Sequence, residues 1–205
     1  MANAQRVHIV DDDEAIRDSV AALLATAGFA CETYNSAADF LNRAGSDAGC
    51  ALIDVRMPGM DGIALLNELR SRGSALAVII MTGFADVPLA VQAMKLGAVD
   101  FVEKPAPRDA LVAAVSRALD QEKPADGSDE RTAAQTRLER LTEREREVLA
   151  LLVSGDANKV VAHKLGISPR TVEIHRSRLM EKTQAGSLAE LVRLAIAAGI
   201  AGPGE

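Results

Sequence analysis

The stretch Ala51-Leu52-Ile53-Asp54-Val55-Arg56-Met57-Pro58-Gly59-Met60-Asp61-Gly62 sets a single carboxylate at the end of an apolar run. Residues 51 to 53 suit a strand, and Pro58, Gly59 and Gly62 then break the pattern. Asp54 is therefore expected where a strand gives way to a loop. In open parallel sheets, that edge is where ligands bind.

On either side of this stretch the same unit repeats. Val7 to Val10 ends in Asp11-Asp12-Asp13-Glu14, after which Ile16, Val20, Leu23 and Leu24 recur at helical spacing until Gly28. Phe29 to Tyr34 precedes Ala37 to Arg43, and residues 51 to 53 precede Asp61 to Arg72, with Ile63, Leu66 and Leu69 as its apolar face. Val78 to Met81 leads to Val87, Ala90, Val91 and Met94, an i, i+3, i+4, i+7 stripe, and Val99 to Val102 leads to Leu111, Val112, Val115 and Leu119. Strands alternating with helices five times predict a parallel five-stranded sheet covered on both faces.

That arrangement gathers the polar residues. Asp11, Asp12, Asp54, Thr82 and Lys104 all fall at or just past the C-terminal ends of strands, which share one edge of a parallel sheet. Three carboxylates there repel and raise one another's pKa unless a cation intervenes. Mg²⁺ suits a set offering only oxygen, since it keeps several waters and takes a few carboxylates plus a phosphate oxygen. Lys104 adds a second positive charge for a phosphoryl oxygen, Thr82 a hydroxyl donor and Gly83 an unobstructed backbone N–H. Positioning and charge neutralisation are most of what in-line phosphoryl transfer needs. Taken singly, the same residues have plainer roles: Asp11 or Asp12 as a helix N-cap, Thr82 in a turn, Phe101 in the core.

Together these residues resemble the receiver domain of two-component response regulators, a CheY-like, flavodoxin-like (βα)5 fold, over residues 5 to 122. The resemblance implies that Asp54 is the phosphoacceptor and that Asp11 and Asp12 hold Mg²⁺ with Asp54. It implies that the Arg56 carbonyl completes the metal shell, that Thr82 and Phe101 form a switch pair and that Lys104 binds phosphate. It also implies a cis Lys104-Pro105 peptide. On phosphorylation Thr82 is expected to move towards the phosphoryl oxygens and Phe101 to turn inward, changing the surface of the fourth and fifth helices. A face centred on Val87, Val91, Met94 and Lys95 is then expected to become a homodimer interface; the alternative is that Val87, Val91 and Met94 simply pack on the sheet. Ala106 stands where relatives often carry Phe, and Phe84-Ala85 replaces a small or polar pair, with Phe84 bulky enough to shield an acyl phosphate from water.

Charge divides the chain. Residues 1 to 123 carry 17 acids against 11 bases, whereas 124 to 205 carry 12 of each, so the net charge of -6 belongs to the front. Within the back, Asp156 to Lys182 holds six bases against three acids, which points to a polyanion partner. No run approaches the ~20 apolar residues that span a bilayer, and the chain is expected to be soluble and cytoplasmic. Cys31 and Cys50 lack metal-ligand spacing and read as buried apolar groups.

Three parts are expected: residues 1–122, a linker at 123–137 that could be helical from Arg131, and a four-helix domain at 138–205. Thr142-Glu143-Arg144-Glu145 is a capping box opening a helix with Val148, Leu149 and Leu152 on one face. A second helix over about Asn158 to Leu165 stops at Gly166, and Ser168 caps a third with Pro169 at its first position. A fourth carries Leu188, Leu191, Val192 and Ala195. Two helices joined by a short Gly-containing turn are the helix-turn-helix pattern. Along the third helix, Val172, His175 and Leu179 cluster inward, leaving Arg170, Glu173, Ile174, Ser177 and Arg178 outward. Ile174 suits a thymine methyl and Glu173 a cytosine amine. Lys159, Arg170, Thr171, Arg176 and Arg178 are expected at phosphates.

Residues 138 to 201 resemble the LuxR-type helix-turn-helix, through residues 141–149 (Leu-Thr-Glu-Arg-Glu-Arg-Glu-Val-Leu) and 168–175 (Ser-Pro-Arg-Thr-Val-Glu-Ile-His). With the receiver in front, the chain resembles the FixJ-type response regulators. That implies a transcription factor rather than an enzyme, phosphorylated by a partner histidine kinase, with promoter DNA and RNA polymerase as further partners. A sigma-factor-like module shares the Leu-Thr-Glu-Arg-Glu start, but the receiver argues against it. A Mg²⁺-dependent phosphatase on a similar sheet needs a second Asp two residues after its nucleophile, and position 56 is Arg.

Overall fold

The computed structural model describes residues 6–44, 49–83, 87–120 and 127–200, with the side chains of 127–130 excepted. Five strands form one parallel sheet in the order β2-β1-β3-β4-β5, with β1 at Arg6–Val10, β2 at Ala30–Tyr34, β3 at Cys50–Asp54, β4 at Ala77–Thr82 and β5 at Asp100–Glu103. This is the flavodoxin-like order, in which the chain leaves β1 in both directions and opens a crevice at the strand ends between β1 and β3. Val10 lies opposite Ile53, so the residues that follow each strand meet at that crevice.

Helices α1 (Glu14–Thr26), α2 (Ala37–Arg43), α3 (Gly62–Ser71), α4 (Val87–Lys95) and α5 (Arg108–Asp120) connect or follow the strands. On one face, Val7, Ile9, Leu52, Ile79 and Met81 pack with Leu24 of α1 and Leu111, Val115 and Leu119 of α5. On the other, His8 meets Phe40 of α2, and Ile53 approaches the start of α3. All of β3 is buried, which a strand covered on both faces requires. The buried residues of α3 include Leu65, which the helical stripe omitted, while Ile63 is only half-buried.

Helices α6 (Gly127–Glu139), α7 (Glu143–Val153), α8 (Asn158–Leu165), α9 (Pro169–Thr183) and α10 (Leu188–Ala197) pack together as a bundle. The helix in the expected linker begins at Gly127 rather than Arg131. Its Ala134 and Leu138 are buried, and it packs against α9 and α10, so it is a fifth member of this bundle. Each cap read in this part of the sequence forms. Thr142 and Glu145 complete the capping box, Gly166 ends α8 at φ 65°, and the Ser168 side chain accepts from the Thr171 N–H. No described helix is long and apolar enough to cross a membrane.

Candidate phosphoacceptor site and nucleic-acid interface

Asp11, just past β1, and Asp54, the last residue of β3, are both buried, and Asp12 is exposed beside them. One carboxylate oxygen from each of the three lies within 4.8 Å of the others. Lys104, just past β5, donates from Nζ to Asp11 Oδ2 and to Asp54 Oδ1. The Arg56 backbone N–H donates to Asp54 Oδ2 at 2.7 Å. The expected convergence is therefore present for all four charged side chains. Fully ionised, three carboxylates and one ammonium leave two excess negative charges, and all the acidic donors are oxygen. Such a set fits a hard dication.

Burial pushes the Asp54 carboxyl up, a shift that the Lys104 bond opposes and the neighbouring Asp11 charge reinforces. Burial pulls Lys104 down, but its bonds to Asp11 and Asp54 outweigh this and raise it overall. The ammonium thus stays charged where a phosphoryl oxygen needs a partner.

Neighbouring backbone holds the carboxylates. Asp11 Oδ1 accepts from the Asp13 N–H at 3.0 Å, and Asp13 in turn caps α1 through Ala15 and Ile16. The N-cap role considered for Asp11 or Asp12 therefore falls to Asp13. Two residues to which the sequence gave no place in the site support it. Arg17 of α1 donates to the Asp11 carbonyl at 2.7 Å, and Gly62 donates its N–H to Val55 O at 3.0 Å while lying against the Asp54 backbone. Gly62 belonged to the opening stretch as a breaker, so its presence was legible and its close approach was not.

Thr82 closes β4 and is buried, Gly83 is exposed, and Phe84 lies outside the described residues. Lys104-Pro105 is cis. Phe101 is buried, at 7% exposure. Burying such a ring stabilises by about 1.5–3 kcal/mol by itself. Of the residues named for the dimer face, Val87, Val91 and Met94 are buried, as packing of that stripe requires, and Lys95 is exposed. An apolar stripe at helical spacing is satisfied by burial within the chain.

On the third helix of the predicted domain, now α9, Arg170, Glu173, Ile174, Ser177 and Arg178 are exposed and Val172 and Leu179 buried, as their periodicity requires. Ile174 is 46% exposed, an apolar side chain among polar neighbours. Lys159 is exposed and Thr171 half-buried. Arg176 is half-buried, with NH1 facing Asn158 Oδ1 at 3.5 Å, and burial lowers its pKa. Ser177 Oγ donates to the Glu173 carbonyl, which occupies its proton locally. Val160 on α8, 42% exposed, was not singled out in the sequence and adds a second outward apolar side chain to the two-helix motif.

The family described as response regulator receiver domain matches residues 7–116, and bacterial regulatory proteins of the luxR family match residues 139–195. The chain is 50% identical over 203 residues to the transcriptional regulatory protein FixJ of Azorhizobium caulinodans, covering 98% of this chain and 96% of that protein. It is 46% identical over 192 residues to the C4-dicarboxylate transport transcriptional regulatory protein DctR of Rhodobacter capsulatus, covering 92% and 98%. Among solved structures it is similar to full-length FixJ from B. japonicum, at 46% identity and a TM-score of 0.55, covering 96% and 98% of the two chains.

Proposed function

The chain belongs to the two-component response regulators that join a receiver domain to a LuxR-type DNA-binding domain, and from that premise we propose that phosphorylation of Asp54 controls its binding to promoter DNA. The convergence of Asp11, Asp12 and Asp54 on one spot, with Lys104 bonded to two of them, carries this reading. Asp11, Asp12 and Asp54 are the residues to hold Mg²⁺, with the Arg56 carbonyl as a further oxygen. When bound, the ion supplies charge neutralisation and an oriented shell for the phosphoryl oxygens.

In the proposed step an ionised Asp54 oxygen attacks the phosphorus of a phosphohistidine on the partner kinase. The O–P bond forms as the P–N bond breaks, and the departing imidazole takes up a proton from solvent. Lys104, already within hydrogen-bond reach, follows the charge onto the phosphoryl oxygens, and Arg56 N–H holds the other Asp54 oxygen still. Thr82, on the neighbouring strand β4, donates its hydroxyl to the new group. Dimerisation and contact with RNA polymerase are the expected consequences, with α9 entering the major groove.

Phosphate uptake from a small-molecule donor, compared between the wild type and Asp54→Asn with and without Mg²⁺, tests the reading. Uptake lost in Asp54→Asn and on chelation supports it. Equal uptake by the variant places the phosphoacceptor elsewhere. DNA binding by the same two proteins, followed through a salt titration, then tests whether the modification changes affinity.

A further inference from the structure

The C-terminal end of α9 is held from two sides. Lys182 donates to Glu145 Oε2 of α7 at 2.7 Å. Arg137 of α6 donates from Nε to the Thr183 carbonyl at 2.5 Å and from NH2 to Glu190 Oε1 of α10 at 3.3 Å. The other oxygen of Glu190 accepts from the Gly186 N–H at 2.8 Å, so one carboxylate and one guanidinium bracket the whole α9-to-α10 turn. Thr183 itself is fully buried.

The last carbonyls of a helix lack intrahelical partners, and the negative end of its dipole favours a cation. Those of Met180 and Glu181 are taken by Ala185 and Gln184 N–H groups. The Thr183 carbonyl is met by Arg137. A guanidinium suits the task because its planar fork reaches two acceptors at once.

We propose that Arg137 is a positioning residue for DNA reading, fixing the tilt of α9 from outside the helix-turn-helix. A helix of 15 residues is about 22 Å long at ~1.5 Å per residue. Pivoting it by about 10° at the Thr183 end moves the backbone at Arg170 and Glu173 by about 3 Å, more than a hydrogen bond tolerates. Base-edge contacts come from the N-terminal residues of such a helix. Diffuse attraction to phosphates survives a displacement of that size far better. Arg137 therefore acts on discrimination between sequences, whereas Lys159 and Arg178 act on general affinity. The proposal rests on the assignment of α9 as the DNA-reading helix.

The test uses the full chain, treated with Mg²⁺ and a small-molecule phosphoryl donor, and two short duplexes: one that the wild type enriches from a random pool, and a scrambled version of it. Arg137→Met keeps an apolar stem and removes both bonds, Arg137→Lys can restore one, and Glu190→Gln weakens the bracket without touching Arg137. Arg137→Met is expected to weaken binding to the enriched duplex roughly tenfold, the size of one charge-assisted hydrogen bond. Binding to the scrambled duplex and the salt slope are expected to stay unchanged, with Arg137→Lys intermediate and Glu190→Gln in the same direction. Equal losses on both duplexes, or none, overturn the proposal. A salt slope reduced by about 0.9 also overturns it, because Arg137 would then touch a phosphate itself. If Arg137→Met does not fold, Glu190→Gln and Arg137→Lys decide by the same ratio. A wild type that enriches no duplex removes the DNA-reading premise and the proposal together, an outcome distinct from all the others.

Discussion

A Cβ on Gly62 would fall 2.2 Å from the Asp54 carbonyl oxygen and 3.1 Å from Ile53 Cγ2. Gly62→Ala must therefore push α3 away from the end of β3. We expect a loss of about 1–3 kcal/mol, in the range for overpacked positions, together with reduced phosphate uptake at Asp54. Gly59→Ala is the comparison: at φ 81° with no neighbour within 4 Å it costs only the left-handed backbone, about 1–2 kcal/mol, and leaves Asp54 in place. Thermal denaturation beside phosphorylation kinetics separates the two. His8 gives a second prediction at this scale. Its ring is buried, Nδ1 meets Tyr34 Oη at 2.9 Å, and Nε2 is buried with no hydrogen-bond partner. Burial lowers its pKa from 6.5, with Glu32 opposing and Arg6 assisting. The folded state thus favours the neutral ring, so stability is complete above the unfolded value of 6.5 and falls as pH drops below it. His8→Phe is expected to flatten that part of the stability-against-pH curve, measured by urea melts between neutral pH and pH of about 5.

Between elements, the α7–α9 contact rests on Glu145. Burial pushes its carboxyl up, but Lys182 and the Thr142 backbone and hydroxyl bring it down to about 2, from an ordinary 4.5. Its contribution is present above 4.5 and is lost as pH falls from there towards 2. Glu145→Gln is expected to cost about 1–3 kcal/mol at neutral pH, the penalty for weakened buried partners, and to blunt acid unfolding of the bundle, followed by far-ultraviolet circular dichroism. On α9, Ile174→Ala is expected to relax preference at one base pair by about 1 kcal/mol without altering the salt slope. Lys159→Gln is expected to lower the slope by about 0.9 and to leave preference intact. Competition binding across duplex variants at several salt concentrations distinguishes these.

The capping box was legible because both partners lie within four residues. Lys182, its third member, lies 37 positions from Glu145, and local pattern carries no trace of the pair. The same limit hid Arg137 and Arg17, whose acceptors are backbone carbonyls and leave no signature in residue type. Strand ends, by contrast, were marked by Asp54, Thr82 and Lys104 themselves, since a parallel sheet puts all its C-terminal ends on one rim. The extent of α6 was obscured by its polar composition, with only Ala134 and Leu138 buried among the residues whose side chains are described.

Across the molecule, the acidic front and the neutral back separate the tasks of the two units. A net charge of -6 confined to residues 1–123 keeps that half from competing for polyanions, while the six bases of residues 156–182 remain for them. Association through α4 needs Val87, Val91 and Met94 uncovered, because all three are buried in this structure. If phosphorylation drives dimerisation through that helix, thiol labelling of Val91→Cys is expected to rise with a phosphoryl donor before the dimer forms. Lys95→Cys, already exposed, is expected to label throughout. Unchanged labelling at position 91 alongside a dimeric elution volume locates the interface elsewhere.

The bond between His8 and Tyr34 also makes one half of the protein visible. Tyr34 is the only tyrosine and there is no tryptophan, so near-ultraviolet absorption and fluorescence come chiefly from a single ring. That ring sits on β2, edge-on to Phe40 at 5.0 Å and beneath the Arg43 guanidinium at 4.9 Å. Melting of the sheet registers in its emission, whereas melting of the α6–α10 bundle leaves no tyrosine signal. Tyrosine emission therefore times the sheet alone, and the helical signal, which α1–α5 share with α6–α10, times the bundle by difference in an unlabelled chain.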